Sequence, residues 1–140
     1  MNKKQLIAII LLIVLFQCVF VRAEEHPIDI NLGKCIEKDS TTAGMNNCTT
    51  EACKQWDVEM NKYYKLLMGI LSKEEKQQLK DAQIAWLEYR DLETKFRINT
   101  FLNMQGTMYT TMALAEKLDI IKQRALDLKA LYDTLKIIRK

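Results

Sequence analysis

Proline occurs once in this chain, and glycine four times in 140 residues. That is too little turn-forming material for a fold of many short strands, and no strand-like alternation competes with the helical spacing described below. No glycine-rich phosphate loop, nucleophile elbow or metal-ligand pair is present. The single histidine is His26, near the start of the mature chain, and no cysteine pair has CxxC spacing, so no metal site is expected. Glu88 and Glu93 are five residues apart and do not share a helix face. The expectation is a protein that is not an enzyme, with no cofactor and no small-molecule substrate.

Long apolar runs are also scarce. The one present, Leu6 to Phe20, follows Lys3 and Lys4 and precedes Val21-Arg22-Ala23. A basic start, a short apolar stretch and small or β-branched residues at −3 and −1 form a secretory signal peptide. Residues 1–23 are read as the leader, cleaved after Ala23, and 24–140 as a single domain, secreted or periplasmic. An uncleaved anchor is the alternative. Acylation at Cys18 would need a small residue before it, and Gln17 is bulky.

Removing the leader takes Lys3, Lys4 and Arg22 and leaves eighteen basic against eighteen acidic residues. The mature chain therefore lacks the basic surplus that nucleic-acid binding requires. Its charge is uneven. Residues 24–60 hold eight acids and three lysines, while the remainder holds fifteen basic residues and ten acids. An acidic arm either packs on a basic body or presents an acidic face to a basic partner.

Three cysteines remain. Cys35 and Cys48 flank "IEKDSTTAGMNN", a loop-like segment, and secretion permits a disulfide between them. Closing such a loop contributes on the order of 3 kcal/mol by chain entropy. Cys48 and Cys53 lie too near one helix start to pair well. That leaves Cys53 either buried and inert or joining two chains; self-association through the helical stripe is a further option.

The helices follow from spacing. Residues 24–47 show little periodicity and are expected to form an irregular arm. Thr49 and Thr50 offer caps, and Glu51 suits a first turn. From Ala52 to Leu71, Trp56, Met60, Tyr63, Tyr64, Leu67, Ile70 and Leu71 recur in threes and fours. Ser72 and Glu75 form a capping box. It opens a helix to about Asn103 with Leu79, Ala82, Trp86, Tyr89 and Phe96 on one stripe, widened by Ile84 and Leu87. Gly106 suits a left-handed turn, and Thr107, Thr110 or Thr111 can cap the last helix. That helix carries Met112, Ala115, Leu118, Ile121, Ala125, Leu128, Leu131, Tyr132, Leu135 and Ile138. The expected fold is all-α: an antiparallel bundle of three main helices with an irregular, disulfide-tied N-terminal arm.

"DAQIAWLEYRD", residues 81–91, is the densest stretch. Gln83, Trp86 and Arg90 share a helix face, as do Asp57, Asn61 and Tyr64 on the preceding helix. With those faces opposed, an Arg90–carboxylate fork would fix the register of the pair. The other reading makes Trp86, Tyr89, Arg90 and Asp91 a partner patch, since Trp, Tyr and Arg anchor interfaces.

The run Ala82-Gln83-x-x-Trp86-x-x-Tyr89-Arg90-Asp91 follows Asp57-x-x-Met60-Asn61-x-x-Tyr64. With Met45 before Cys48, the Gly106–Tyr109 turn, Arg124 and Leu128, it resembles the lysozyme inhibitor LprI-like family of small secreted bacterial helical proteins. The resemblance spans Cys35 to Leu131. It departs where many relatives carry a cysteine three or four residues after the Arg-Asp pair: Thr94 stands near that place and no cysteine follows. The resemblance implies a protein partner, namely a lysozyme. Animal-type lysozymes are basic with an acidic catalytic cleft, so the candidate inhibitory elements are Asp29, Glu37 and Asp39 of the arm, the Cys35–Cys48 loop, and the turn with Gly106, Met108 and Tyr109. The alternative is a periplasmic interaction module without lysozyme activity.

Overall fold

The computed structural model describes residues 25–104 and 106–139; the expected leader and its cleavage site lie outside them. Four helices follow in order: α1 (Pro27–Lys38), α2 (Thr42–Ile70), α3 (Lys73–Leu102) and α4 (Met108–Ile138). Among the described residues there is no strand, and no helix is long and apolar enough to cross a membrane.

The N-terminal arm is helical, which corrects the irregular arm expected from sequence. Proline is not a breaker here because Pro27 sits in the first turn, where its missing N–H leaves no hydrogen bond unmade. His26 caps that turn through Nδ1, which accepts from the Ile28 N–H at 3.3 Å. Ile28, Leu32 and Ile36 step by four along the face turned to α2, with Ile28 buried and the other two half-buried. Only these three of its apolar residues share that face, and Ile30 points away from it, so the pattern is too short to stand out.

Helix α2 likewise starts ten residues before the expected Ala52. Its cap is Thr41, whose Oγ1 accepts from the Gly44 N–H at 3.1 Å. Asp39 Oδ1 in turn accepts from the Thr41 N–H at 3.1 Å and the Thr41 hydroxyl at 2.6 Å. Thr49 and Thr50 lie inside the helix and donate to the carbonyls of Met45 and Asn46, each at 2.8 Å. Their hydroxyls are satisfied without a cap. Gly44 permits the tight entry, since a Cβ there would lie 2.5 Å from the Asp39 carbonyl oxygen.

The capping box of α3 has both bonds: Glu75 N–H to Ser72 Oγ at 3.3 Å and Ser72 N–H to Glu75 Oε2 at 2.8 Å. Gly106 turns the chain into α4 at φ +129°, a conformation that disfavours any side chain. Thr107 precedes α4 without a side-chain capping bond.

Cross-helix pairs give the topology. Thr111 meets Asn46, Lys122 lies over Trp56, Tyr132 meets Tyr63 and Arg139 reaches the Ile70 carbonyl, so α2 and α4 run parallel. Asp29 meets Trp56 and Cys35 meets Cys48, so α1 runs antiparallel to α2. Arg139 to Glu75, Arg124 to Gln83 and Arg97 to Glu116 make α3 antiparallel to α4. The α2–α4 contact is the main one, and α3 lies on α4 while scarcely touching α2. Trp56, Met60 and Leu67 fill the core against Leu118, Ile121, Ala125 and Leu128. Ala52, Ala113 and Ala125 are buried and let the axes approach.

This arrangement corrects the expected stripes. With one main neighbour, α3 buries only a narrow strip. Leu79 and Trp86 pack against the core, whereas Ala82 and Ile84 are exposed, Tyr89 is 52% exposed and Phe96 64%. On α4, Ala113 is buried where Met112 was expected, and Met112, Ala115, Leu131 and Ile138 face outward.

At the closed end, Arg139 ties three helices. Its Nη2 donates to Glu75 Oε1 at 2.6 Å and its Nη1 to the Ile70 carbonyl at 3.1 Å. Arg139 and the Ser72 cap bonds hold the Glu75 carboxyl from an ordinary 4.5 down to about 2. The folded protein therefore favours the carboxylate, so the stabilisation is complete above pH 4.5 and fades as pH falls through about 2. Glu75→Gln is expected to lower the urea midpoint at pH 7, with a difference from wild type that vanishes near pH 2. A difference that persists undiminished at pH 2 would show that the charge is not its cause.

Candidate functional site

Gln83 is the only buried residue of α3 among the described positions, 9% exposed. A buried amide needs partners on both ends. Its Oε1 accepts from Arg124 Nε at 3.0 Å, and its Nε2 meets Met60 Sδ at 3.6 Å. One side chain thus links α3 to both α2 and α4. Burial pulls the Arg124 guanidinium below its usual pKa, with Asp127 opposing. Trp86, half-buried, has the guanidinium carbons of Arg90 at 5.5 Å and Arg124 at 5.9 Å from its ring centre.

Arg90 does not make the expected fork to Asp57. Its Nε and Nη2 both donate to Asp91 Oδ1, at 2.9 and 2.7 Å, and Asp57 stands 4.0 Å from Nη1. The wide spacing of α2 and α3 accounts for this, because the neighbouring carboxylate is nearer than the one across the gap. Asn61 Nδ2 holds Asp57 Oδ2 at 3.0 Å, and Tyr64 packs against the core. Tyr89 and Asp91 face solvent. The structure therefore brings Gln83, Trp86 and Arg90 together with Asp57, leaves Tyr89 outside, and adds Arg124 and Met60. Arg124 had a signal in the sequence: it is a basic residue beside the apolar face of α4.

A second cluster was not legible. Trp56, 1% exposed, donates from Nε1 to Asp29 Oδ1 at 3.2 Å. Lys122 Nζ meets Asp29 Oδ2 at 2.9 Å, and the His26 ring lies 4.3 Å from the Trp56 ring. Asp29 is thus taken up inside the fold. Glu37 and Asp39 remain exposed, and the Thr41 hydroxyl and N–H hold Asp39 below the usual carboxylate pKa.

Cys35 and Cys48 form a disulfide, with Cα atoms 5.8 Å apart. Cys53 is free and buried, and burial pushes its thiol pKa up. The 2.8 Å bond from Thr111 to Asn46 places the α1–α2 turn beside the start of α4. Both candidate turns consequently lie at one end of the bundle. Met104, Met108 and Met112 are exposed there, 46%, 68% and 41%, while Tyr109 stacks on Phe101 at 6.3 Å. Among the described residues, no three His, Cys, Asp or Glu side chains gather as a metal site.

The sequence profile of the family described as "Lysozyme inhibitor LprI" matches residues 35–128. The chain belongs to this family. The matched span runs from the first disulfide cysteine to the last core leucine of α4, and so includes the Gln83–Arg124 link. The fold is also similar to the crystal structure of an uncharacterized protein from Burkholderia thailandensis, with TM-score 0.74 and 28% identity. The alignment covers 80% of this chain and 56% of that one, so the chain spans little more than half of that protein's length. No curated protein matches the chain.

Arg124→Ala leaves the buried Gln83 oxygen without its partner, a loss of about 1–3 kcal/mol. Arg90→Ala removes partly solvated ion pairs and one cation–π contact, about 1 kcal/mol or less. Urea unfolding of the two variants of this LprI family member should rank Arg124→Ala as the more damaging; the reverse order would place the structural clasp at Arg90.

Proposed function

We propose that this protein is a secreted, non-enzymatic binding protein that inhibits a lysozyme by covering its catalytic cleft, through the bundle end that carries the α1–α2 and α3–α4 turns. The observation that carries the reading is the family match over residues 35–128, which makes a lysozyme the first partner to test. The chosen end has the chemistry for a basic enzyme. Glu37 and Asp39 supply exposed carboxylates, beside the equally exposed Lys34 and Lys38, and Met104, Met108 and Met112 supply adaptable apolar contact. The disulfide holds the first turn in place beside the second.

The test is a lysis assay with a panel of lysozymes on cell-wall suspensions, using the mature protein with its disulfide intact. Slower lysis at stoichiometric protein, relieved by the combined Glu37→Lys, Asp39→Lys and Met108→Glu substitutions, supports the proposal. Unchanged lysis at large excess across the panel refutes it. A second reading, an interaction module without lysozyme activity, is favoured by the exposed Leu92 and Phe96 of α3, 61% and 64%. It predicts no lysozyme effect and a binding partner lost on Phe96→Glu.

A further inference from the structure

The separation of α2 and α3 leaves a cleft above α4 that the inhibitory reading does not use. Its volume is about 750 Å³, within the range of small-ligand sites. Val58, Ile98 and Ile121 give it apolar walls, and Cys53 also lines it. Its charged groups are unequal in their commitments. Arg90 is held by Asp91 and Asp57, and Lys54 stands 3.4 Å from Glu51. Lys95 and Lys117 also line it, and among the described residues neither has a carboxylate within ion-pair distance. Thr94, on the same wall, has the one buried side-chain oxygen without a hydrogen-bond partner among the described residues.

We propose that this cleft binds an apolar carboxylate, an aliphatic chain lying on Val58, Ile98 and Ile121 with its headgroup between Lys95 and Lys117. Charge and surface select this class. A neutral aliphatic chain would leave two ammonium groups without a counter-charge, and a small anion such as acetate would leave the apolar walls wet. A cationic amphiphile is repelled by the surplus of two positive charges. Burial raises the Cys53 thiol pKa, with Lys117 opposing that rise and Asp119 adding to it, and of these two charged residues Lys117 lines the cleft. Cys53 is 8% exposed, so an occupant should shield it further.

The experiment titrates the mature, disulfide-intact protein with decanoate below micelle formation. It reads binding by calorimetry and the rate of Cys53 modification by an aromatic disulfide reagent. Decanol and acetate are the comparators. The expected result is saturable decanoate binding that slows Cys53 modification, with acetate inert and decanol weaker. The combined Lys95→Gln and Lys117→Gln variant should weaken decanoate by about tenfold or more, since two charge-assisted contacts are lost. Its circular dichroism should match wild type, because among the described residues neither lysine has an ion-pair partner. Equal binding of decanol and decanoate, undiminished binding by the double variant, or no saturable binding at millimolar decanoate would each overturn the proposal. Lysis inhibition is measured separately and bears on none of these outcomes.

Discussion

Trp56→Ala should cost about 3–5 kcal/mol of folding stability, the range for an aromatic deleted from a packed core. A domain of this size has about 5–15 kcal/mol in total, so the variant should be marginal at room temperature. Three losses coincide at this side chain. The indole is 1% exposed and sits where α1, α2 and α4 converge, so its removal leaves a void that three helices share. Its Nε1–H is the partner of Asp29 Oδ1, and without it that carboxylate keeps only Lys122. The His26 ring that caps α1 also rests against it. Trp56→Phe separates these losses. It fills most of the void and removes only the hydrogen bond, so its cost should be about 1.5–3 kcal/mol, the range for a bond to a charged group. Urea unfolding of both variants checks the ranking. A loss below 1 kcal/mol for Trp56→Ala would mean that the convergence point is not the core.

The contrast between Trp56 and Trp86 explains what sequence reading reached and what it did not. Both lie on apolar stripes with helical spacing, and both were assigned to helices. Periodicity says which residues share a face; it does not say how deep that face is buried. Depth depends on how many helices meet there, and α3 meets only one along most of its length. Hence Phe96 and Tyr89, legible as stripe residues, are exposed, whereas Gln83, a polar residue, is buried between Met60 and Arg124. The same limit applies to the clasp. The residue types were legible, but the spacing of α2 and α3 decides that Arg90 hydrogen-bonds Asp91 and reaches Asp57 only as an ion pair at 4.0 Å. Local chemistry was read more securely where it is closed within a few residues, as in the Ser72–Glu75 box and the positive φ at Gly106. Thr49 and Thr50 mark the boundary of that approach. They look like caps, yet their hydroxyls bond back inside α2, and the true cap is Thr41.

Reducing the Cys35–Cys48 bond, or replacing both cysteines by serine, should lower stability by about 3 kcal/mol, as chain entropy predicts for a loop of this length. The loss should be uneven along α1. Its N-terminal half is held independently, by buried Ile28, by Asp29 on Trp56 and Lys122, and by the His26 cap. Its C-terminal half faces solvent at Lys34, Glu37 and Lys38, and Cys35 is its covalent tie to α2. Amide exchange should therefore accelerate from Cys35 through the first turn of α2, while Ile30 and Leu32 stay protected. Uniform acceleration along α1 would mean that the Trp56 cluster does not hold it without the bond. The functional consequence follows from position. The bond lies at the same end as Met108 and Tyr109, beside the Asn46–Thr111 contact. Under the proposed mode of inhibition, loosening the α1–α2 turn raises the entropy lost when a lysozyme is bound. The reduced protein should then inhibit more weakly even under conditions where it remains fully folded. Equal inhibition by the folded oxidised and reduced forms would move the contact surface away from this end of the bundle.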